Sequence, residues 1–314
     1  MIKTIILGAQ SEDAGELIRI LAMHPDVELI GAQAPGLDGR QVSWHHHGLI
    51  GETRLAFSNS VDLSKADVAF VCGRSLTSAE FTQIRHMRPD LKLICMSPLQ
   101  GVDMEAAGVV YGLPEINRKL LVRGATAAFL PSPLASMALV ALFPLALNLL
   151  LSGDIEISIA APEAILEKFP LEETAREIEK VLKEVQKSYT GCVRLTADKS
   201  VARRSSLMEI TFDCSINQEH LMEIYEIYDD HNFSFVVNRK VGVSEVAGTN
   251  KIVVTVPSPR DGKISLGVAA DCRLRGGAGE AVHVMNLMFG LHERTGLALK
   301  AIDFTPVEGR PEED

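Results

Sequence analysis

The sequence predicts an α/β protein with two domains, a doubly wound parallel sheet followed by a domain with a mixed or antiparallel sheet. Residues 2–8 are a β-branched run that ends in glycine, residues 14–24 carry apolar side chains at helical spacing, and residues 27–32 form a second apolar run. A strand-turn-helix-strand opening of this kind is typical of a doubly wound sheet. In the second half, long strands with few intervening helices indicate a different sheet. A chain of 314 residues is long enough for both domains.

The first domain is predicted to span residues 1–150 and the second residues 151–314. Further strands of the first domain are expected at 66–72, 91–96 and 126–130, with a helix at 78–87. The elements expected in the second domain are strands at 155–160, 192–196, 207–214, 233–237, 251–256 and 264–270 and helices at 171–187 and 218–228. A last helix near 276–296 is expected to pack back on the first domain, and the polar, acidic residues 306–314 are expected to be frayed.

Residues 134–151 are almost uniformly apolar and predict one long buried helix. Pro131 and Pro133 suit the beginning of that helix, because proline has no N–H to leave unpaired there and its φ is already helical. The run is nearly long enough to cross a membrane. Pro144 and Asn148 interrupt it and the sequence has no second such run, so a buried helix is the better interpretation.

Charge and cysteine content narrow the classes of function. The net charge of −10 disfavours nucleic acid or an anionic membrane as the main partner, since both require clustered basic residues. The residues 1–8 lead directly into a strand and do not form a signal peptide. The five cysteines form no Cys-x-x-Cys pair, which favours reduced, buried thiols in a cytoplasmic protein; they are Cys72, Cys95, Cys192, Cys214 and Cys272.

The turn after the first strand begins at Gly8 and is a candidate nucleotide-binding turn. A Gly-x-Gly-x-x-Gly fingerprint counted from Gly8 would need glycine at the positions of Gln10 and Asp13. Glu12 and Asp13 favour the dipole of the following helix but repel the phosphates of a dinucleotide. An ordinary capped turn is therefore preferred here to a cofactor site.

Three further clusters are candidates for binding. The run His45, His46 and His47 suggests a metal, but consecutive side chains point in alternating directions and no cysteine or carboxylate completes a set, so an exposed loop is expected and no metal is assigned. The basic residues Lys199, Arg203 and Arg204 are a second candidate site, for a carboxylate or phosphate, and a solvated charge cluster is the alternative interpretation. The best candidate anion site is a glycine segment at the start of the last helix, where backbone N–H groups can bind an anion. It consists of Gly276, Gly277 and Gly279, with Arg273 and Arg275 nearby. Close packing of the backbone is the alternative explanation of these glycines.

Three segments of the sequence carry a family resemblance: residues 15–28 (Gly-Glu-Leu-Ile-Arg-Ile-Leu-Ala-Met-His-Pro-Asp-Val-Glu), 111–117 (Tyr-Gly-Leu-Pro-Glu-Ile-Asn) and 276–290 (Gly-Gly-Ala-Gly-Glu-Ala-Val-His-Val-Met-Asn-Leu-Met-Phe-Gly). Together they resemble the N-acetyl-gamma-glutamyl-phosphate reductase family. The resemblance covers almost the whole chain in the right order. It implies a Rossmann domain and a dimerisation and substrate domain like that of aspartate-semialdehyde dehydrogenase. It also implies NADPH-dependent reduction of an acyl phosphate in arginine biosynthesis, through a cysteine thioester.

Transferred position by position, the family's active site is not kept. The resemblance puts Pro133 at the place of the nucleophilic cysteine, beside Ser132, and puts Ser11 and Ala14 at two cofactor glycines, Gly8 being retained. Residues 95–101 lack the family's aspartates and arginine, and residues 172–178 lack its catalytic histidine. Asp198 stands at another histidine position. The residues that match and remain candidates for a substrate-like site are Ser132, Tyr111 and Arg204.

These substitutions lead to three hypotheses. The first is a degenerate member of the family without the catalytic cysteine, kept as a binding or regulatory protein that forms a dimer or tetramer or pairs with an active reductase. The second is an NADP-dependent enzyme with altered chemistry, using groups among Ser132, Asp198, Arg203, Arg204 and residues 45–47. The third is a sensor that binds an acidic metabolite near Arg204 and Arg275. NADP is the expected cofactor if the chain binds any.

Overall fold

The computed structural model describes residues 1–73 and 76–302. The N-terminal part of the chain forms a seven-stranded sheet. The predicted frayed segment 306–314 lies outside the described residues. All neighbouring strands pair in parallel, which confirms the predicted doubly wound parallel sheet. In spatial order the strands are β3 (Phe57–Ser58), β2 (Val27–Gln33), β1 (Ile2–Leu7), β4 (Val68–Val71), β5 (Lys92–Cys95), β7 (Ala127–Phe129) and β6 (Val110–Tyr111).

Helices cover this sheet, and their first residues explain where they begin. Ser11 caps α1 (Glu12–Leu21), its hydroxyl accepting the Ala14 N–H. Thr77 and Glu80 form a capping box at the start of α2 (Ser78–Met87). A proline opens α3 (Pro114–Val122), as another does α4 (Pro133–Leu147).

A second, six-stranded sheet is mixed, as the sequence predicts. Its outer pairs are parallel and its inner pairs antiparallel. In spatial order the strands are β11 (Ser234–Val237), β12 (Ile252–Thr255), β13 (Lys263–Asp271), β10 (Ser205–Asp213), β8 (Ile155–Ala161) and β9 (Val193–Lys199). The remaining helices are α5 (Glu163–Lys168), α6 (Leu171–Val185), α7 (Gln218–Tyr225) and α8 (Ala278–Met288).

The apolar helix α4 packs on the second sheet. It contacts β10, β12, β13, α6 and α7, and nearly all of its side chains are buried in the core that these elements share. In its packing α4 therefore belongs with the second sheet, although a division of the chain at residue 150 groups it with the first. No helix among residues 1–73 and 76–302 is both long and apolar enough to cross a membrane.

Helix α8 returns to the first sheet and packs against α1 and α3. Its C-terminal end is fixed by a short chain of charges. Glu293 accepts hydrogen bonds from Arg118 of α3 at 2.6 Å and from His283 of α8 at 2.7 Å. Burial raises the pKa of the Glu293 carboxyl, but the hydrogen bonds and charges of His283 and Arg118 outweigh it and lower that pKa to about 2.

Replacing Glu293 by glutamine is expected to lower the free energy of unfolding at pH 7 by about 2 kcal/mol. A depressed carboxyl pKa contributes stability that is complete above the ordinary value of 4.5 and is lost as the pH falls toward 2. The difference between wild type and Glu293→Gln should therefore shrink between pH 5 and pH 2, measured by urea denaturation. Glu223→Gln is the matched control, because Glu223 faces His220 in an exposed pair. Equal effects of the two substitutions would contradict this account.

Candidate functional site

The order of the parallel strands reverses between β1 and β4, and ligands of doubly wound folds bind in the crevice beyond the carboxyl ends of such strands. Here the crevice is bordered by the turn after β1, which includes Gly8 and Ser11, and by Gly73 after β4. Gly8 has φ +71°, a conformation that favours glycine, and the Ser11 hydroxyl is used to cap α1. The turn is thus the capped strand-helix connection that its sequence predicts.

Two of the three consecutive histidines hold this turn from outside. The Nε2 of His46 donates to the carbonyl of Ala9 at 2.7 Å, and that of His45 donates to the carbonyl of Gln10 at 2.8 Å. A Cβ at Gly15 would lie 2.5 Å from His46 Nδ1, so the ring packs directly on α1. Among the described residues, no group of three or more histidine, cysteine or acidic side chains is arranged to hold a metal. The histidines therefore support the turn.

The acidic residues at the start of α1 pair with basic residues of the second half of the chain. Glu16 forms an ion pair with Arg204, with 2.9 Å between the carboxylate oxygen and the guanidinium nitrogen. Glu12 lies 3.6 Å from Arg273, and Asp13 forms an ion pair with Lys168. Arg204 also donates to Asp271 at 2.8 Å. Burial raises the pKa of Glu16, but Arg204 and Arg19 outweigh it and the net direction is downward. The Arg204 guanidinium is thus neutralised within the protein.

These ion pairs leave little space beside the turn. The cavity that they line, together with Pro133 and Gly276, has a volume of about 40 Å³. A cavity of that size holds a few water molecules. The three other residues considered for anion binding or altered chemistry at this end are exposed; they are Asp198, Lys199 and Arg203. Arg203 lines the small cavity, whereas Asp198 and Lys199 lie on β9 outside it, and Lys199 pairs with Glu163.

The glycine segment before α8 is closely packed. Gly276 has φ +68°, and a Cβ on it would lie 2.8 Å from the nitrogen of Pro133. A Cβ on Gly277 would lie 2.5 Å from the Arg273 carbonyl oxygen, and one on Gly279 would lie 2.5 Å from Asn250 Oδ1. Of the two interpretations of these glycines, the geometry favours close packing.

The groups that an anion would need at this segment are bonded internally. The Gly276 N–H donates to Glu280 Oε2 at 2.6 Å. Arg275 is completely buried, 2.5 Å from Glu115 and 3.6 Å from Glu280. Burial raises the pKa of Glu280 to about 7, whereas the charge of Arg275 outweighs burial at Glu115 and lowers its pKa. Both arginines of the sensor hypothesis, Arg204 and Arg275, therefore face carboxylates of the protein.

A much larger cleft adjoins the small cavity, and the two share Met96, Lys168 and Phe169 in their linings. Its volume is about 1350 Å³, and it extends from Gly73 after β4, past the ends of β5 and β7 and past β6, to α6. Among the lining residues that the structure describes, the acidic side chains outnumber the basic ones; the acidic residues are Asp103, Glu105, Glu173, Glu177 and Glu184, and the basic residues are Lys168, Arg176 and Lys180. The described lining therefore carries an excess of acidic side chains.

Ser132, Tyr111 and Glu177 meet in this cleft. The Ser132 hydroxyl donates to Glu177 Oε2 at 2.8 Å, and the Tyr111 hydroxyl donates to Glu177 Oε1 at 2.9 Å. The Ser132 N–H also points at this carboxylate, 3.3 Å from Oε1. Burial raises the pKa of Glu177, and the three hydrogen bonds offset that rise only in part. Ser132 and Tyr111 were candidates from the sequence, whereas nothing singles out Glu177 in a helix rich in Glu and Lys.

The cysteines near these sites are buried. Cys272 borders the small cavity with Pro133, and its Sγ lies 3.1 Å from the Ser206 hydroxyl. Burial raises the pKa of Cys272 and of Cys95 to about 12 in each case, and that of Cys72 further. These thiols stay protonated at neutral pH and are poor nucleophiles.

Comparison with known proteins identifies the family. A family model described as the NAD-binding domain of semialdehyde dehydrogenase matches residues 3–123. An N-acetyl-gamma-glutamyl-phosphate reductase of Parabacteroides distasonis is 30% identical over 325 aligned residues, which cover 97% of this chain and 100% of the relative. The chain belongs to the N-acetyl-gamma-glutamyl-phosphate reductase family. An N-acetyl-gamma-glutamyl-phosphate reductase of Phocaeicola vulgatus is also 30% identical, with the same coverage.

Solved structures share the fold of this member of the N-acetyl-gamma-glutamyl-phosphate reductase family. Aspartate semialdehyde dehydrogenase II of Vibrio cholerae, solved in complex with ASA, aligns with TM-score 0.69 and 13% identity over 92% of this chain and 98% of that chain. The aspartate semialdehyde dehydrogenase of Candida albicans, solved with NADP, aligns with TM-score 0.62 and 11% identity over the same shares. At these identities the likeness concerns the fold.

The sequence segments that resemble the N-acetyl-gamma-glutamyl-phosphate reductase family form one structural unit. Residues 15–28 lie in α1 and β2, residues 111–117 lead from β6 into α3, and residues 276–290 form α8. Helix α8 packs against both α1 and α3, and His24 hydrogen bonds to Asn286 at 3.0 Å. The three segments are therefore neighbours in the folded structure.

Proposed function

We propose that this member of the N-acetyl-gamma-glutamyl-phosphate reductase family has lost the reductase reaction and acts by binding a ligand or a partner. The observation that carries the proposal is Pro133, which stands where the resemblance expects the nucleophilic cysteine. Pro133 is the first residue of α4, and its backbone packs directly against Gly276. A proline side chain has no group that can form a thioester.

The state of the other thiols supports the same proposal. Cys72, Cys95, Cys214 and Cys272 are buried, and burial raises the pKa of each thiol. The exposed Cys192 precedes β9, outside both cavities. None of them is placed to replace the missing cysteine, because a nucleophilic thiol must be ionised and must open onto the substrate.

The turn at the switch point is a poor site for the pyrophosphate of a dinucleotide. A pyrophosphate binds at a helix N-terminus through free backbone N–H groups. Here the Ser11 hydroxyl accepts the Ala14 N–H, and Glu12 and Asp13 bring negative charge into the first turn of α1. The proposal therefore assigns no NADP to the turn that contains Gly8 and Ser11, and no hydride transfer to this chain.

The larger cleft is the proposed ligand site, and the family resemblance supports assembly as a dimer or tetramer. The face of the second sheet that α4 and α6 leave uncovered carries side chains such as Glu156 and Glu209 on β8 and β10. Such a face is the candidate surface for a second copy of the chain or for an active reductase of the same family. We also propose that the protein is located in the cytoplasm, together with biosynthetic enzymes.

The test is a reductase assay on the purified full chain with N-acetyl-gamma-glutamyl phosphate and NADPH. The reductase of Parabacteroides distasonis, assayed in the same buffer, is the positive control. We expect NADPH oxidation no faster than in the protein-free mixture, because the nucleophilic thiol is missing and the first turn of α1 is occupied by the protein's own cap and ion pairs. Turnover within tenfold of the control enzyme would overturn the proposal.

A further inference from the structure

We propose that Ser132 and Glu177 form a nucleophile–base pair that hydrolyses small, uncharged carboxylic esters with good leaving groups. The proposal goes beyond the binding role described above and holds whether or not the protein reduces an acyl phosphate. It stands on a juxtaposition within the large cleft. Ser132 comes from the connection between β7 and α4, and Glu177 comes from α6, 45 residues further along the chain.

The Ser132 hydroxyl is bonded as a nucleophile requires. Its hydrogen points to Glu177 Oε2 at 2.8 Å, and its oxygen accepts the Ala135 N–H at 3.2 Å. The first contact gives the proton an acceptor, and the second stabilises negative charge that develops on Oγ. Ser132 is half-buried in the lining of the cleft, so a substrate can reach it.

Glu177 is suited to act as the base. Burial raises the pKa of its carboxyl above the ordinary value, which makes the carboxylate a stronger base than an exposed glutamate. Tyr111 donates to Oε1 and leaves Oε2 directed at Ser132. Burial, first, and then the charge of Glu177 raise the pKa of Tyr111 well above its ordinary value, so the hydroxyl stays a donor. Tyr111 is therefore a positioning residue.

The reaction is an acyl transfer to water in two steps. Ser132 Oγ attacks the acyl carbon, forming an ester bond while its proton moves to Glu177 Oε2, and the bond from the acyl carbon to the leaving group breaks with its electron pair on the leaving group. Glu177 next releases this proton to solvent, from which the departed anion can take one up. A water molecule then attacks the acyl-enzyme, Glu177 receives the water proton, and Glu177 returns it to Ser132 Oγ as that oxygen departs. The products are the carboxylic acid and the leaving alcohol, phenol or thiol, with no change of oxidation state.

The surroundings of the pair limit the substrate class. The described lining of the cleft contains no histidine, so no group of pKa near 7 is at hand to protonate a poor leaving group. Amides are therefore excluded, and esters of phenols or thiols are favoured because these leave as anions. The excess of acidic side chains in the described lining disfavours a dianionic acyl phosphate relative to an uncharged ester.

The test uses p-nitrophenyl acetate with the purified full chain. We expect turnover above the protein-free rate and an acetyl group on Ser132 when acid-quenched protein is digested and analysed by mass spectrometry. Ser132→Ala and Glu177→Gln are expected to lower the rate about 100-fold. Ser152→Ala and Glu172→Gln are the matched controls, since both residues are exposed and lie outside the cleft lining. Both controls should keep the wild-type rate.

Loss of the helix cap in Ser132→Ala also costs about 1 kcal/mol of stability, so the thermal midpoint of each variant is measured beside its rate. Glu177→Gln keeps the cap and separates catalysis from folding. A wild-type rate equal to that of Ser132→Ala, or an acetyl group found only on other residues, would overturn the proposal.

A pH profile tests the part assigned to Tyr111. The rate should rise with pH as Glu177 ionises. The Tyr111 hydrogen bond stabilises the carboxylate and lowers its pKa, so Tyr111→Phe should move the acid limb to higher pH. A purely structural role of Tyr111 would lower the rate at every pH and leave the limb in place, which would contradict the assignment.

Discussion

Replacing Arg275 by methionine is expected to lower the free energy of unfolding by about 3–5 kcal/mol. Arg275 is completely buried and compensates two carboxylates, Glu115 at 2.5 Å and Glu280 at 3.6 Å. Removing the guanidinium leaves both carboxylates in the interior with only hydroxyl and backbone donors, Ser234 at Glu115 and Ser136 and Gly276 at Glu280. Urea denaturation at pH 7.5 measures the loss.

The loss should depend on pH in a defined direction. In the wild type Arg275 keeps the pKa of Glu115 low, so this pair contributes stability above pH 4.5. Without Arg275 the pKa of Glu115 rises above its unfolded value, and the variant then loses stability as the pH rises. The difference between the two proteins should therefore be smaller at pH 5 than at pH 7.5. A control, Arg176→Met, removes an exposed partner of Glu172 and should change stability by less than about 0.5 kcal/mol. A loss at Arg275 as small as in this control would contradict the account.

The second large effect is expected from Gly276→Ala. Two costs add there, the left-handed conformation at φ +68° and the approach of a new Cβ to Pro133, 2.8 Å from its nitrogen and closer to its Cα. The conformation alone costs about 1–2 kcal/mol. The overlap with backbone cannot be relieved by rotation of a side chain, so we expect a total loss of about 4 kcal/mol.

Gly290 offers a matched control, because its φ is also +68° and nothing lies within 4 Å of a Cβ there. Gly290→Ala should show the conformational cost alone. The difference in the free energy of unfolding between the two variants measures how firmly the glycine segment holds the first turn of α4. Equal losses would show that Gly276 is needed for its φ and that Pro133 is free to move.

Much of the fold could be predicted, because the hydrophobic patterns of several segments fit only one kind of secondary structure. The β-branched run at β1 and the helical spacing of α1 fix the start of the parallel sheet, and the alternation of β10 and β13 predicts a half-buried sheet. The strands β3 and β6 have two residues each, too few to show any period. The packing of α4 could not be predicted, because a helix that is apolar on every side does not show which sheet it faces.

The candidate site was less predictable, because its contacts join distant parts of the chain. Ser132 and Tyr111 were found through segments that resemble a family, but Glu177 lies in an amphipathic helix where one glutamate looks like another. Arg275 near the glycine segment suggested an anion site. Its partner Glu115 is 160 residues away, and no local pattern shows that the charge is already compensated.

The central claim of this account is that the first turn of α1 is occupied by the protein's own cap and ion pairs, so that the phosphates of the family's cofactor have no site there. Calorimetric titration of the purified full chain with NADPH, and separately with NADP, tests it most directly, with the Parabacteroides distasonis reductase as the positive control. The account predicts no saturable heat up to millimolar cofactor. Saturable binding with a Kd near 1 μM, about −8 kcal/mol, would contradict it, because such affinity requires an open crevice where Asp13 pairs with Lys168 and Glu16 pairs with Arg204.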